Sequence, residues 1–174
     1  MRNEKVKNVA LFGMMTALAF TLSFLETLIP ISFGVPGIKL GLANLVVVTA
    51  LYTMKPWQAF AIALIRIVLA GLTFGNFNSL AYSLCGGLLS FALMYLAKKT
   101  KLSVMGVSML GGVSHNVGQI IAAAIIMSTV RIVYYLPVLL VSGLVTGFLI
   151  GLLSKTVVDR INKIKGENSN EKNN

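Results

Sequence analysis

VMGVSMLGGVSHNVGQIIAAAIIM, residues 104–127, contains no Asp, Glu, Lys or Arg. As a helix rising about 1.5 Å per residue it would cross a bilayer core of about 30 Å. Yet it carries His115, the only histidine of the chain, together with Asn116 and Gln119. What those three polar side chains do depends on the solvent around the segment.

The rest of the chain settles the solvent. Of its 174 residues, 56% are hydrophobic and only 11% are charged. Mean hydropathy is +0.85. Soluble domains carry roughly a quarter charged residues, so this chain lacks the polar side chains to coat a globule in water. Apolar runs recur through it, at 9–29, 40–54, 57–72, 79–96, 104–127 and 133–154, the first interrupted only by Glu26 and the third only by Arg66 among charged residues. They predict an all-α integral membrane protein, a bundle of six transmembrane helices, with the second and third segments short for full spans. One membrane domain over residues 1–165 is expected, followed by a disordered polar tail at 166–174. The run from Val9 is too long for a signal-peptide core and lacks a small-residue cleavage site, so it reads as the first span. Cys85 is the only cysteine; it excludes an internal disulfide and reads as a buried, inert thiol.

The basic residues set the orientation. With six spans both termini share a side, and that side collects Arg2, Lys5, Lys7, Lys55, Lys98, Lys99, Lys101, Lys155, Arg160, Lys163, Lys165 and Lys172. The opposite side has only Lys39 and Arg131, while Arg66 falls inside a span. Positive charge is retained on the cytoplasmic side, so both termini are expected in the cytoplasm. The same rule accounts for the net charge of +10. The charges scatter over loops and build no nucleic-acid recognition element.

Polar groups within spans are costly and mark candidate sites. The orientation gives their depth. Glu26 lies near the outer end of the first helix, Asn44 in the first outer turns of the second, and Arg66 beyond the middle of the third. His115 sits near mid-depth of the fifth, with Gln119 one turn further out on the same face and Asn116 beside them. Lys39 belongs to the outer loop. All fall in the outer half, whereas a pore or proton relay would need polar groups along its whole length. A ligand pocket open to the outside is the expected arrangement, roofed by the loop 31–40 and bound by Glu26, Lys39, Asn44, Arg66, His115, Asn116 and Gln119. The alternative for His115, Asn116 and Gln119 is interhelical hydrogen bonding. For Arg66 the alternative is an ion pair with Glu26. Lys39, Arg66 and Arg131 outnumber Glu26, which favours a carboxylate or phosphate ligand with an apolar remainder.

Small residues recur every fourth position on two helices: Gly13, Ala17 and Thr21 on the first, Gly143, Gly147 and Gly151 on the sixth. Such stripes let backbones approach closely in lipid. The sixth-helix stripe suits packing within the bundle; Gly13 and Ala17, toward the cytoplasm, suit a partner protein. There is no Walker A pattern. The acids Glu4, Glu26, Asp159, Glu167 and Glu171 include no pair able to hold Mg²⁺ and a diphosphate, and no nucleophilic triad is visible. No catalytic residue, metal or cofactor is expected in this chain.

The stretches FLETLIPISFGVPGIKLGLANL (24–45), RIVLAGLTFG (66–75) and GGVSHNVGQ (111–119) resemble the bacterial Gx transporter family, also labelled heptaprenyl diphosphate synthase component I. PGIKLGLAN and HNVGQ are its more specific motifs, and the likeness runs to about Lys155. The resemblance implies a six-helix S component of an energy-coupling factor (ECF) transporter in a bacterial cytoplasmic membrane. It implies a transmembrane coupling protein and two ABC ATPases as partners, with ATP used by those ATPases and not by this chain. It further implies a substrate-binding subunit that captures a micronutrient outside and topples to release it inside. Its first helix would meet the coupling protein through small residues four apart. Gly13 and Ala17 keep that spacing, but Ala10 is followed by Met14, so the usual alanine pattern is broken. The synthase label implies the competing reading, a non-catalytic accessory subunit of a heptaprenyl diphosphate synthase. It also hints at an isoprenoid or quinone precursor as ligand. A stand-alone secondary transporter fits less well, since no inverted repeat is evident.

Overall fold

The computed structural model describes residues 2–29 and 40–171, with side chains between residues 5 and 164. Lys39, and all but Leu40 of the proposed roof, lie outside the described residues. Six α-helices follow one another: α1 (Arg2–Leu28), α2 (Leu42–Thr53), α3 (Pro56–Phe74), α4 (Phe77–Lys98), α5 (Val104–Ile126) and α6 (Leu136–Glu171), with a 3-10 segment at Val130–Tyr135 before α6. Among the described residues there is no strand. Every helix except α2 is long and apolar enough to cross a membrane, so the protein is a membrane-embedded helical bundle. The helices close a ring: α1 packs on α3, α3 on α4, α4 on α5, α5 on α6, and α6 returns through α2 to α1.

The short helix α2 is the core. Its 12 residues rise only about 18 Å, less than a bilayer core. It is apolar on every side, and such a helix must be buried all round. Ala43 and the unbroken run Val46–Leu51 are buried between α1, α3 and α6. The β-branched run Val46-Val47-Val48-Thr49 has modest helix propensity, and burial overrides it. Both ends are held by other elements. Gly41, at φ 73°, starts the helix and donates its N–H to the Glu26 carboxylate of α1. That left-handed backbone favours glycine over any residue with a Cβ. At the other end Lys98 of α4 donates to the Leu51 carbonyl at 2.6 Å and lies over the Tyr52 ring. A cation there satisfies an orphan carbonyl and the helix dipole together. Lys98→Met is expected to cost about 1–2 kcal/mol. It should lower the melting temperature in detergent by several degrees, whereas Lys101→Met, at an exposed position, should not.

Helix α5 is wedged between α4 and α6, and its glycines make that possible. A Cβ on Gly118 would lie 2.8 Å from the Gly86 Cα of α4, and one on Gly86 2.7 Å from the His115 carbonyl oxygen. On the opposite side Gly143 and Gly112 meet backbone to backbone. Gly147 and Gly151 rest on the backbones of Met109 and Met105 in the same way. The stripe of α6 is therefore a packing seam within the bundle. The stripe of α1 is not: Gly13, Ala17 and Thr21 are exposed, and nothing lies within 4 Å of a Cβ built on Gly13.

Three expectations need correction. Cys85 is exposed, not buried. The outer surface of a membrane bundle is itself apolar, so a small weakly polar thiol needs no core. The helix α6 continues to Glu171, well beyond the apolar run that ends at 154. Composition marks where the bilayer ends, not where backbone hydrogen bonding ends. Similarly, α1 begins at Arg2, seven residues ahead of its apolar run.

Candidate functional site

A cavity of about 350 Å³ opens where six helix segments converge: the last turns of α1, the start of α2, the second half of α3, α4 as far as Ser90, the middle of α5 and the first turns of α6. Because successive helices alternate in direction, these segments share one end of the bundle. The basic residues Lys7, Lys55, Lys98, Lys99 and Lys155 belong to the opposite helix ends.

Glu26, Asn44, Arg66, His115 and Asn116 all line this cavity. Gln119 is not among the lining residues; its Cγ lies against Gly86, where α5 and α4 touch. Arg131 is exposed in the 3-10 segment and does not reach the cavity either. The excess of cations expected from sequence is therefore absent among the described lining residues, which hold one guanidinium and one carboxylate.

Each polar group has a distinct environment. The Asn116 amide donates to the Leu139 carbonyl of α6 at 2.6 Å. This side chain borders the cavity and also ties two helices, so the interhelical alternative holds for its amide nitrogen. The imidazole of His115 reaches toward α4, with Cε1 3.1 Å from where a Gly86 Cβ would be. Glu26 accepts the Gly41 N–H, and its charge also acts on the nearby Arg66 guanidinium. The Nε–H of Arg66 is buried and has no hydrogen-bond partner among the described residues. A buried guanidinium N–H without a partner is costly, and a water or ligand acceptor in the cavity can satisfy it.

Sequence reasoning missed the hydroxyls. Ser23 and Thr27 of α1, Ser79, Ser83 and Ser90 of α4 and Thr146 of α6 also line the cavity. The signal was spacing: 79, 83 and 90 recur at helical intervals, as do 23, 26 and 27. An apolar wall of Ile67, Ala70 and Phe74 completes the lining. Phe74 also stacks on Phe20 and meets Phe24, closing the seam between α1 and α3.

A family model described as heptaprenyl diphosphate synthase component I matches residues 15–157. The chain belongs to that family. Among solved structures, the S component of a bacterial ECF transporter is similar with a TM-score of 0.56 and 20% identity, covering 94% of this chain and 97% of that one. At that identity the likeness is one of fold. Among curated proteins none matches.

Proposed function

We propose that this chain is the substrate-binding subunit of an ECF-type importer. It captures a small, partly apolar micronutrient or isoprenoid-type precursor bearing an acidic group, and it performs no catalysis itself. The observation that carries this reading is Arg66, whose Nε–H is buried without a partner among the described residues beside a polar cavity at one end of the bundle. Such a group suits a carboxylate or phosphate. The positive-inside rule puts that cavity outside and both termini in the cytoplasm. The likeness of fold to an ECF S component supports the same reading.

The partners implied are a transmembrane coupling protein and two ABC ATPases, which would supply the ATP hydrolysis. Their docking surface is the exposed stripe of Gly13 and Ala17 on α1, where helix backbones can close in. The family description favours one second reading, a membrane accessory subunit of a prenyl diphosphate synthase.

A mild-detergent pulldown of tagged protein from its native cells separates the two. Recovery of a membrane coupling protein with two ATPases is expected. Recovery of a soluble prenyl synthase in their place would favour the second reading. Ala17→Leu should reduce that recovery at least about tenfold, since a bulky side chain holds the helices apart, while leaving the melting temperature unchanged. Undiminished recovery would remove the α1 stripe from the docking surface.

A further inference from the structure

We infer that the cavity is bipolar, and that its ligand carries a hydrogen-bearing nitrogen group against α1 in addition to an acidic group at Arg66. This rests on the binding reading above and narrows its substrate class.

The argument starts from the hydroxyl protons. Ser23 Oγ donates to the Ala19 carbonyl at 2.9 Å, and Thr27 Oγ1 donates to the Phe24 carbonyl at 2.7 Å. A hydroxyl has one hydrogen and two lone pairs. With their hydrogens directed within α1, both oxygens offer lone pairs to a ligand. Glu26 lies between them in sequence and is an acceptor when ionised; Gly41 occupies one of its oxygens and leaves the other. Residues 23, 26 and 27 share one helix face, and all three line the cavity. The end of α1 therefore presents three acceptors and no donor.

Arg66, on the neighbouring helix α3, is the complement, because a guanidinium has donors only. A ligand satisfying both poles has N–H groups at one end and an anion at the other. An amine, or a ring nitrogen bearing hydrogen, meets the first requirement and is reinforced by the Glu26 charge. A simple prenyl diphosphate does not: its oxygens carry negative charge and offer nothing to the α1 face. The volume is at the small end of ligand sites, so the ligand is small, and Ile67, Ala70 and Phe74 give it an apolar wall.

The test uses the full chain purified in mild detergent from native cells. Small molecules are released by denaturation and read by accurate mass in H₂O and in D₂O. The expected finding is a molecule whose retention falls about tenfold or more in Arg66→Gln and in Glu26→Gln, the loss of one charged hydrogen bond. Its composition should contain nitrogen, and the deuterium shift should show exchangeable hydrogens beyond those of its acid. Ser23→Ala, a smaller change, should weaken retention in the same direction and serves where Glu26→Gln fails to fold; Arg66→Ala does the same for Arg66→Gln. A molecule sensitive to the Arg66 substitutions that lacks such nitrogen, or that the Glu26 and Ser23 variants retain fully, overturns the bipolar site and leaves the binding function standing. If no retained molecule depends on Arg66, both fall.

Discussion

Gly147→Leu should prevent the bundle from assembling. A Cβ at this position would lie 2.7 Å from the Met109 Cα and 2.9 Å from the Ser108 carbonyl oxygen. Both are backbone atoms of α5, so no rotamer change relieves the clash. The helices must separate, and separation also opens the Gly112–Gly143 contact one turn away. Overpacking against a flexible side chain costs about 1–3 kcal/mol; a backbone that must move along a whole seam costs more. We expect a loss above about 4 kcal/mol, the range reserved for wholesale disruption, seen as aggregation on size-exclusion chromatography in detergent. Gly13→Leu is the matched control. Nothing lies within 4 Å of its Cβ, and leucine is a better helix former than glycine by somewhat under about 1 kcal/mol. Its melting temperature should stay level or rise. If the two variants melted alike, the α5–α6 seam would not be the close contact described.

The two glycine stripes show how far the sequence carried the fold. Both have the same spacing, so spacing alone could not say which packs inside the bundle. The structure distinguishes them by what surrounds each glycine. Hydropathy located every helix, because a long apolar run in a chain this poor in charge must be buried, in lipid for five of them and within the bundle for α2. It could not place the helix ends beyond the bilayer, where α1 and α6 continue past their apolar runs. It could not foresee that Cys85 faces outward, since in lipid both the inside and the outside of a bundle are apolar.

The candidate site was legible where a residue was expensive to bury. Glu26, Asn44, Arg66, His115 and Asn116 stand out against apolar neighbours, and all five border the cavity. Gln119 was placed with His115 by helical spacing, but the crossing of α4 at Gly86 takes up that part of the face. The serines and threonines were invisible for the opposite reason. They are common in membrane helices, where their hydroxyls bond carbonyls three or four residues back, so no single one signals a site. Only the cavity reveals that six of them look the same way.

Arg66→Ala should abolish ligand retention and uptake without destabilising the empty protein. The two halves of that expectation come from the same fact. A buried guanidinium N–H without a partner among the described residues is a cost to the folded state, which the Glu26 charge offsets only in part. Removing it relieves that cost, so the melting temperature of ligand-free protein should stay level or rise. With ligand bound, the same group forms charged hydrogen bonds in a low-dielectric site. Breaking a buried charge pair costs about 3–5 kcal/mol, or affinity lower by about 100- to 3000-fold. Asn116→Ala should behave in the reverse sense. Its amide holds the Leu139 carbonyl at 2.6 Å between two helices, and losing that bond should lower stability by about 1–3 kcal/mol whether or not ligand is present. Melting curves of the two variants, with and without the co-purified ligand, therefore separate a residue kept for binding from one kept for packing. A lower melting temperature for ligand-free Arg66→Ala would place Arg66 among the packing residues and leave the cavity without its anion-binding group.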